Sequence, residues 1–343
     1  MPERFEIHSE PAHLVREFFT NRTYSQIAVL TDTNTARSCY PELKSALPSH
    51  ILIQIQPGET AKNLETCITI WQQLTDRQLD RHSLVLVVGG GVLGDMGGFC
   101  AATYKRGIDF VLMPTTLLAQ VDASIGGKLG IDFNHFKNHI GVFQNPVTTL
   151  ISPAFLKTLP ERELRSGFAE IIKHCLISDA QMWDIIRTKS LSELDWNKLI
   201  LHSVSFKSRV ITEDPKEKGL RKILNFGHSI GHAVESYFLN SDHRLFHGEA
   251  IAIGMITESF IGLKKGLIQK AELGQISEYV FKIFGKVNLV AEDRDILDII
   301  HQDKKNKGNA ILMALTKGIG QAEWDVEVSE IEIIESLAYY RSL

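Results

Sequence analysis

The chain has 343 residues, 44% hydrophobic and 23% charged, with 37 basic and 41 acidic side chains and a formal net charge of -4. That length suits one large domain or two ordinary ones, and the balance excludes disorder, collagen-like repeats and coiled coil for the bulk of the chain. No basic run and no apolar run of about 18 residues is present, so nucleic-acid binding and membrane spanning are not expected.

The start, MPERFEIHSEPAHL, lacks the basic-then-apolar layout of a secretory signal, and a cytoplasmic location is expected. Cys39, Cys67, Cys100 and Cys175 lie far apart with no CxxC pair, which points to neither disulfides nor a zinc–thiolate site.

β-Branched runs fall at IAVL (27–30), ILIQI (51–55), LVLVV (84–88) and FVLM (110–113), with helix-compatible stretches between them at 61–75 and 92–104. Strands separated by helices predict a parallel sheet covered on both faces. LVLVV has no polar alternation, as a strand buried on both sides requires. After about residue 155 the apolar residues recur at three- and four-residue spacing, and no strand is evident until ILMAL (311–315). The expected architecture is a Rossmann-like α/β domain over residues 1–155 followed by a mostly helical domain over 156–343. The active site is expected in the cleft between them.

Gly89, Gly91 and Gly94 in LVLVVGGGVLGD satisfy G-x-G-x-x-G directly after a strand and at the start of a helix. In that context glycines admit a pyrophosphate to the backbone, and the helix N-terminus supplies N–H donors. A tight strand-to-helix turn without a ligand is the alternative. The loop follows the third strand rather than the first, and the next strand ends in Met113-Pro114-Thr115-Thr116 with no acid. An acid that holds a ribose would therefore come from upstream, such as Asp32 or Glu59.

Candidate metal donors are spread over the helical half. Glu170, Lys173 and His174 share a helical face by spacing. Arg221, Asn225, His228 and His232 are separated by 4, 3 and 4, one polar stripe if the segment is a single helix. His247 stands beside a glycine before another apolar helix. Two histidines and a carboxylate form a catalytic zinc set that leaves a coordination position open. Ser229 follows His228, so the adjacent glutamate of an HExxH protease is missing. A buried hydrogen-bonded histidine pair is the competing interpretation, and His174 reads as a bystander.

Cations recur in glycine-rich or helix-start contexts: Arg106, Lys128, Lys137 beside Asn138, Lys173, Lys207, Arg221 and Lys304/Lys305. SIGGK lacks the GxxxxGK[ST] spacing of a P-loop. Together the cations imply a small, highly anionic substrate bearing phosphate and carboxylate.

The segments GGGVLGDMGGF, TYKRG, PTTLLAQVDASIGGK, KNHIGVFQNP, LKTLPERELRSGFAEIIK, DPKEKGLRKILNFGHSIGHAVE, HGEAIAIGM and DKKN resemble, in order, those of the 3-dehydroquinate synthase family of sugar phosphate cyclases. The likeness runs from about residue 27 to 320. It implies conversion of 3-deoxy-D-arabino-heptulosonate 7-phosphate to 3-dehydroquinate and phosphate, in the shikimate pathway of aromatic amino acid biosynthesis. NAD and one divalent metal, zinc or cobalt, are the implied cofactors, and a homodimer is expected. The implied metal ligands are Glu170, His228 and His247, with His243 a weaker rival for the third. The implied NAD contacts are Asp32, Glu59, Lys62, Gly91, Gly94, Asp95, Thr115, Thr116, Lys128, Lys137 and Thr158. Implied catalytic residues are Asp122, Lys128, Lys173, Lys207, Glu217, Asn225 and His232. Arg106, Asn138, Arg221 and Lys305 are the implied substrate contacts. Two alternatives stand beside this reading: another sugar phosphate cyclase, or a metal- and NAD-dependent polyol dehydrogenase of the same fold. A non-catalytic paralogue is a third class.

Overall fold

The computed structural model describes residues 4–134, 136–239, 241, 243–302 and 311–343. By internal contacts the chain divides into two units, Met1–Leu164 with Trp196–Ser208, and Arg165–Asp195 with Arg209–Leu343.

The first unit runs β1 (Phe5–Ile7), α1 (Pro11–Thr20), β2 (Ile27–Asp32), α2 (Thr33–Ser38), α3 (Pro41–Lys44), β3 (Ile51–Ile55) and α4 (Leu64–Asp76). It continues with β4 (Leu84–Gly89), α5 (Gly91–Thr103), β5 (Asp109–Pro114), β6 (Lys128–Phe133), β7 (Phe136–Phe143) and β8 (Thr149–Ile151). Six strands form one parallel sheet in the order β1-β8-β5-β4-β2-β3. The four β-branched runs are its four longest strands. Every residue of β4 is buried, and the strand's two faces feed separate cores. Val85 and Val87 pack with α4 and α5 side chains such as Ile70, Leu74 and Met96. Leu84, Leu86 and Val88 pack with Leu14, Phe18 and Leu43 of α1 and α3. A period of two with apolar residues on both faces produces a doubly covered strand.

Three features of this unit were not evident from the pattern. β1 and β8 are only three residues each, too short for periodicity. β6 and β7 form an antiparallel hairpin. Most of β7 is exposed, with Phe136 at 64% and Phe143 at 79%, so the inside–outside alternation that marks a half-buried strand is weak there.

Residues 196–208 of α8 (Trp196–Glu213, after α6, Glu161–Ser178, and α7, Ala180–Arg187) belong to the first unit. The second unit is mostly helical: α9 (His228–Phe238), α10 (His247–Lys264), α11 (Lys270–Phe284), α12 (Asp293–His301) and α13 (Glu330–Ser342). α10 packs against α9, α11 and α13 and is buried without interruption from Ala250 to Ser259, as befits a helix apolar on all sides. β9 (Ile311–Thr316), the expected late strand, pairs antiparallel with β10 (Ala322–Val328). A bulge falls between Glu323 and Val326, where Asp325 has φ 56°, and most of β10 is exposed.

The expected single helix through Arg221, Asn225, His228 and His232 is broken. Leu220–Asn225 is a 3-10 segment, and α9 starts afresh at His228 after Gly227, which has φ 78°. The tertiary reason is the crossing of α10. A Cβ on Gly227 would lie 2.9 Å from the Met255 side chain, and one on Gly231 would lie 2.9 Å from that of Ile251. The buried Glu258 carboxylate accepts the Gly227 and Ile230 backbone N–H groups at 2.6 and 2.9 Å. It caps α9 from another helix, in the place where a serine or aspartate cap would normally stand.

Candidate active site

In the first unit the glycine loop leaves β4 at Gly89 and enters α5 at Gly91. β2 and β4 are neighbours, yet the chain leaves β2 toward β3 on one side and β4 toward β5 on the other. Their carboxyl ends therefore flank a topological switch point, the usual ligand crevice of open α/β sheets. Asp32 lies at the end of β2, where its Oδ1 caps α2 by accepting from Asn34 and Thr35 N–H, both at 2.8 Å. Thr115 follows β5 and donates its N–H to the Gly89 carbonyl at 3.0 Å, with Thr116 next to it. Gly89, Gly90, Gly91, Gly94, Pro114 and Ser124 line a recess there.

Gly94 and Gly97 do different work. A Cβ on Gly97 would lie 2.7 Å from Leu30 Cδ2, so Gly97 lets α5 lie close on the sheet. Among the described residues a Cβ on Gly94 would meet nothing within 4 Å. Packing does not demand that glycine, whereas a ligand pressed against the helix start would.

Beside this loop, buried Lys62 donates to Asp95 Oδ2 at 2.7 Å and to Asn138 Oδ1 at 2.6 Å. Burial pushes the Asp95 carboxyl up, and the Lys62 ammonium opposes that rise. Lys137 stands 3.9 Å from Glu59. Lys207 Nζ donates to the Asp122 carboxylate at 2.6 Å and to its carbonyl at 2.7 Å. Arg106, Lys128 and Thr158 are exposed. Arg106 has φ 70°, and the Thr158 hydroxyl donates to the Phe155 carbonyl at 3.3 Å.

In the second unit Glu170, His228 and His247 converge. Glu170 is fully buried in α6, and its Oε1 lies 3.5 Å from Nε2 of both histidines. Lys173, one turn on and 1% exposed, forms an ion pair with Oε2. The donor atoms of the three residues lie within 4.8 Å of one another. Tetrahedral donors at zinc bond lengths stand about 3.3 Å apart, close to the 3.5 Å found. Among the described residues neither Glu170 oxygen has a partner of hydrogen-bonding geometry, the ion pair with Lys173 notwithstanding. A buried carboxylate left so, with two imidazole nitrogens aimed at it, fits a divalent cation.

Each residue has a structural cause. His228 and His247 are the first residues of α9 and α10. Gly248 sets the second of these, because a Cβ there would lie 2.5 Å from Ser166 Cα. The Gly248 N–H also donates to Ser166 Oγ at 3.0 Å. α10 thus starts against α6 one turn before Glu170. The far nitrogens are held too: His228 Nδ1 lies 3.0 Å from the Phe226 carbonyl and His247 Nδ1 lies 3.1 Å from Glu235 Oε2.

Burial raises Glu170's proton affinity, but Lys173, His228 and His247 reverse this and hold it well below the usual carboxylate range. Burial and Lys173 push His228 well down, which keeps the imidazole neutral and able to ligate. Burial also lowers His247, but the nearby Glu170 and Glu235 carboxylates win and lift it to about 9 without a metal. His232 is exposed, its ring centroid 4.9 Å from that of His228 and 5.8 Å from that of His247. His243 is exposed and outside the three-residue group, and His174 is buried in α6.

The loop ahead of α9 is organised by Asp214, which accepts the N–H groups of Lys218, Gly219 and Arg221 at 3.0, 2.7 and 3.1 Å. Arg221 is 5% exposed and donates to the Pro215 carbonyl at 3.0 Å. Glu217 accepts from Asn225 at 2.8 Å. Lys304 and Lys305 lie outside the described residues.

Two family models match the chain, 3-dehydroquinate synthase N-terminal over residues 52–166 and 3-dehydroquinate synthase C-terminal over 167–306. The chain belongs to the 3-dehydroquinate synthase family. It is 36% identical over 333 residues to the 3-dehydroquinate synthase of Parabacteroides distasonis, covering 95% of this chain and 94% of that one. It is 41% identical over 329 residues to the 3-dehydroquinate synthase of Prochlorococcus marinus, covering 91% and 88%. A solved structure of 2-epi-5-epi-valiolone synthase from Streptomyces hygroscopicus subsp. jinggangensis, with NAD+ and Zn2+ bound, matches at a TM-score of 0.88 and 27% identity. That match covers 100% of this chain and 97% of the other.

Glu235, Glu258 and Asp214 escaped the sequence reading. Glu235 had a signal in its spacing, three residues after His232 and seven after His228 on a helix. Glu258 had none, because its partners lie 31 and 28 residues upstream.

Proposed function

We propose that the chain is a 3-dehydroquinate synthase, converting 3-deoxy-D-arabino-heptulosonate 7-phosphate to 3-dehydroquinate and phosphate. NAD is held at the glycine loop by Gly91, Gly94, Asp95, Thr115 and Thr116, with Asp32, Glu59, Lys62, Lys128, Lys137 and Thr158 as further contacts. One divalent cation, zinc or cobalt, is held by Glu170, His228 and His247. The observation that carries the reading is the buried Glu170 carboxylate with two Nε2 atoms 3.5 Å from it, in a chain of this family.

The bound cation supplies Lewis acidity toward a substrate alcohol, and NAD supplies reversible hydride acceptance at its carbon. The chain's residues do the rest. His232, beside the two ligand imidazoles, takes up and returns the alcohol proton. Asn225, oriented by Glu217, and Arg221, held by the Asp214 loop, orient the anionic substrate. An arginine fork matches a carboxylate or phosphate with two parallel hydrogen bonds. Lys173 and Lys207 offset negative charge in their respective units, and Arg106, Asn138, Asp122 and Lys305 complete the substrate contacts. Transient oxidation acidifies the neighbouring C–H and permits phosphate elimination. The carbonyl is then reduced, and ring opening and an intramolecular aldol close the carbocycle.

A sugar phosphate cyclase of another specificity is the second reading, motivated by the match to 2-epi-5-epi-valiolone synthase. The higher identity to 3-dehydroquinate synthases over nine-tenths of the chain favours the first. Purified protein with zinc and substoichiometric NAD should release phosphate from the heptulosonate phosphate and yield the carbocyclic product. NADH accumulating one-for-one with substrate loss would indicate a polyol dehydrogenase instead.

A further inference from the structure

We propose that Glu235 is a positioning residue that holds the proton of His247 on Nδ1 and keeps Nε2 open for the cation. This rests on the reading of Glu170, His228 and His247 as ligands. A neutral imidazole carries one proton, and a ligating nitrogen must lack it. The His247 nitrogen that faces Glu170 is Nε2, at 3.5 Å, so the proton belongs on Nδ1. Nδ1 lies 3.1 Å from Glu235 Oε2, and an ionised carboxylate can only accept. Orientation and tautomer are thereby set together.

His228 offers the internal comparison. Its Nδ1 faces the backbone carbonyl of Phe226 at 3.0 Å, and its Nε2 also faces Glu170 at 3.5 Å. Both histidines follow one plan, a proton on Nδ1 directed at an oxygen and a lone pair on Nε2. For His228 the oxygen is main chain. For His247 it comes from a side chain, so the device can be removed by substitution.

Glu235 could instead be a ligand, since donor atoms of His232, Glu235 and His247 also lie within 4.8 Å of one another. That second site would need His247 Nδ1 as a donor, so both nitrogens of one imidazole would have to be stripped of protons. Among the described residues the geometry therefore points to one cation at Glu170, His228 and His247, with Glu235 behind its ligand. Such outer carboxylates typically change metal affinity 10- to 100-fold.

The test is titration of the metal-stripped full chain with cobalt(II) alone, following visible absorption in competition with a chromophoric chelator. Wild type, Glu235→Leu, Glu235→Gln and Glu170→Ala are compared, with a melting curve for each. The expected result is one cobalt per wild-type chain and affinity roughly 10- to 100-fold weaker in Glu235→Leu. Glu235→Gln, which retains an acceptor oxygen without the charge, falls between. A purely structural Glu235 would lower the melting temperature and leave cobalt affinity within twofold of wild type, which overturns the proposal. A second tight cobalt in wild type that Glu235→Leu loses also overturns it. Should Glu235→Leu fail to fold, Glu235→Gln decides, and wild-type affinity in it counts against the role. Tight cobalt binding by Glu170→Ala would remove the ligand assignment itself, an outcome distinct from an unaffected Glu235 variant.

Discussion

Gly94 and Gly97 sit one turn apart on α5 and should respond to alanine in opposite ways. At Gly94 the added methyl meets nothing within 4 Å among the described residues. Relieving the backbone entropy of a helical glycine should stabilise the ligand-free chain by about 0.5–1 kcal/mol, raising Tm by roughly 1–3 °C. The same methyl stands where a pyrophosphate would approach the start of α5. Displacing that group costs at least one hydrogen bond to a charged oxygen, about 1.5–3 kcal/mol, so NAD affinity should fall roughly ten- to hundredfold. At Gly97 the methyl lies 2.7 Å from Leu30 Cδ2 and 3.0 Å from both Val87 methyls. Overpacking there costs about 1–3 kcal/mol and lowers Tm, while NAD affinity of the folded fraction stays near wild type. Calorimetric titration with NAD beside thermal melts of both variants separates the two effects. A Gly94→Ala protein that binds NAD like wild type would refute the assignment of this loop to the pyrophosphate.

Chelation should abolish turnover and zinc or cobalt should restore it; full activity in protein verified as metal-free would remove Glu170, His228 and His247 from the site. Arg221→Lys retains charge but loses the fork, so kcat/KM should fall by about 1.5–3 kcal/mol, roughly ten- to hundredfold or more, with Tm nearly unchanged. If Tm drops while kcat/KM measured below it stays normal, Arg221 is structural. The backbone N–H groups of Lys218 and Gly219, followed by that of Arg221, hold the Asp214 carboxyl below its ordinary value. A depressed carboxylate stabilises above its unfolded pKa, about 3.9, and that contribution is lost as pH falls through the lower folded value. The Tm gap between wild type and Asp214→Ala should therefore be full at neutral pH and close on acidification; a gap independent of pH would contradict this.

The local physics of the sequence determined much of this protein. Runs such as LVLVV are apolar on both faces, and a strand of that kind is stable only inside a covered parallel sheet, so β2 to β5 were legible. The glycine loop was legible because a strand, three glycines and a helix start are contiguous. Glu170, His228 and His247 were legible as residue types, through the family resemblance as well as their chemistry. Tertiary structure decided the rest. The helix expected through Arg221 and His232 breaks at Gly227 because α10 crosses there and Glu258, 31 residues away, supplies the cap. His247 begins a helix beside Glu170 because Gly248 admits the close approach of Ser166, 82 residues upstream. β1 and β8 exist because β8 pairs with β5 and β1 pairs with β8 at one side of the sheet, and three residues carry no period of their own. Propensity and periodicity describe a segment against water. Caps, crossings and edge strands depend on which distant segment replaces that water, and only the folded chain contains that information.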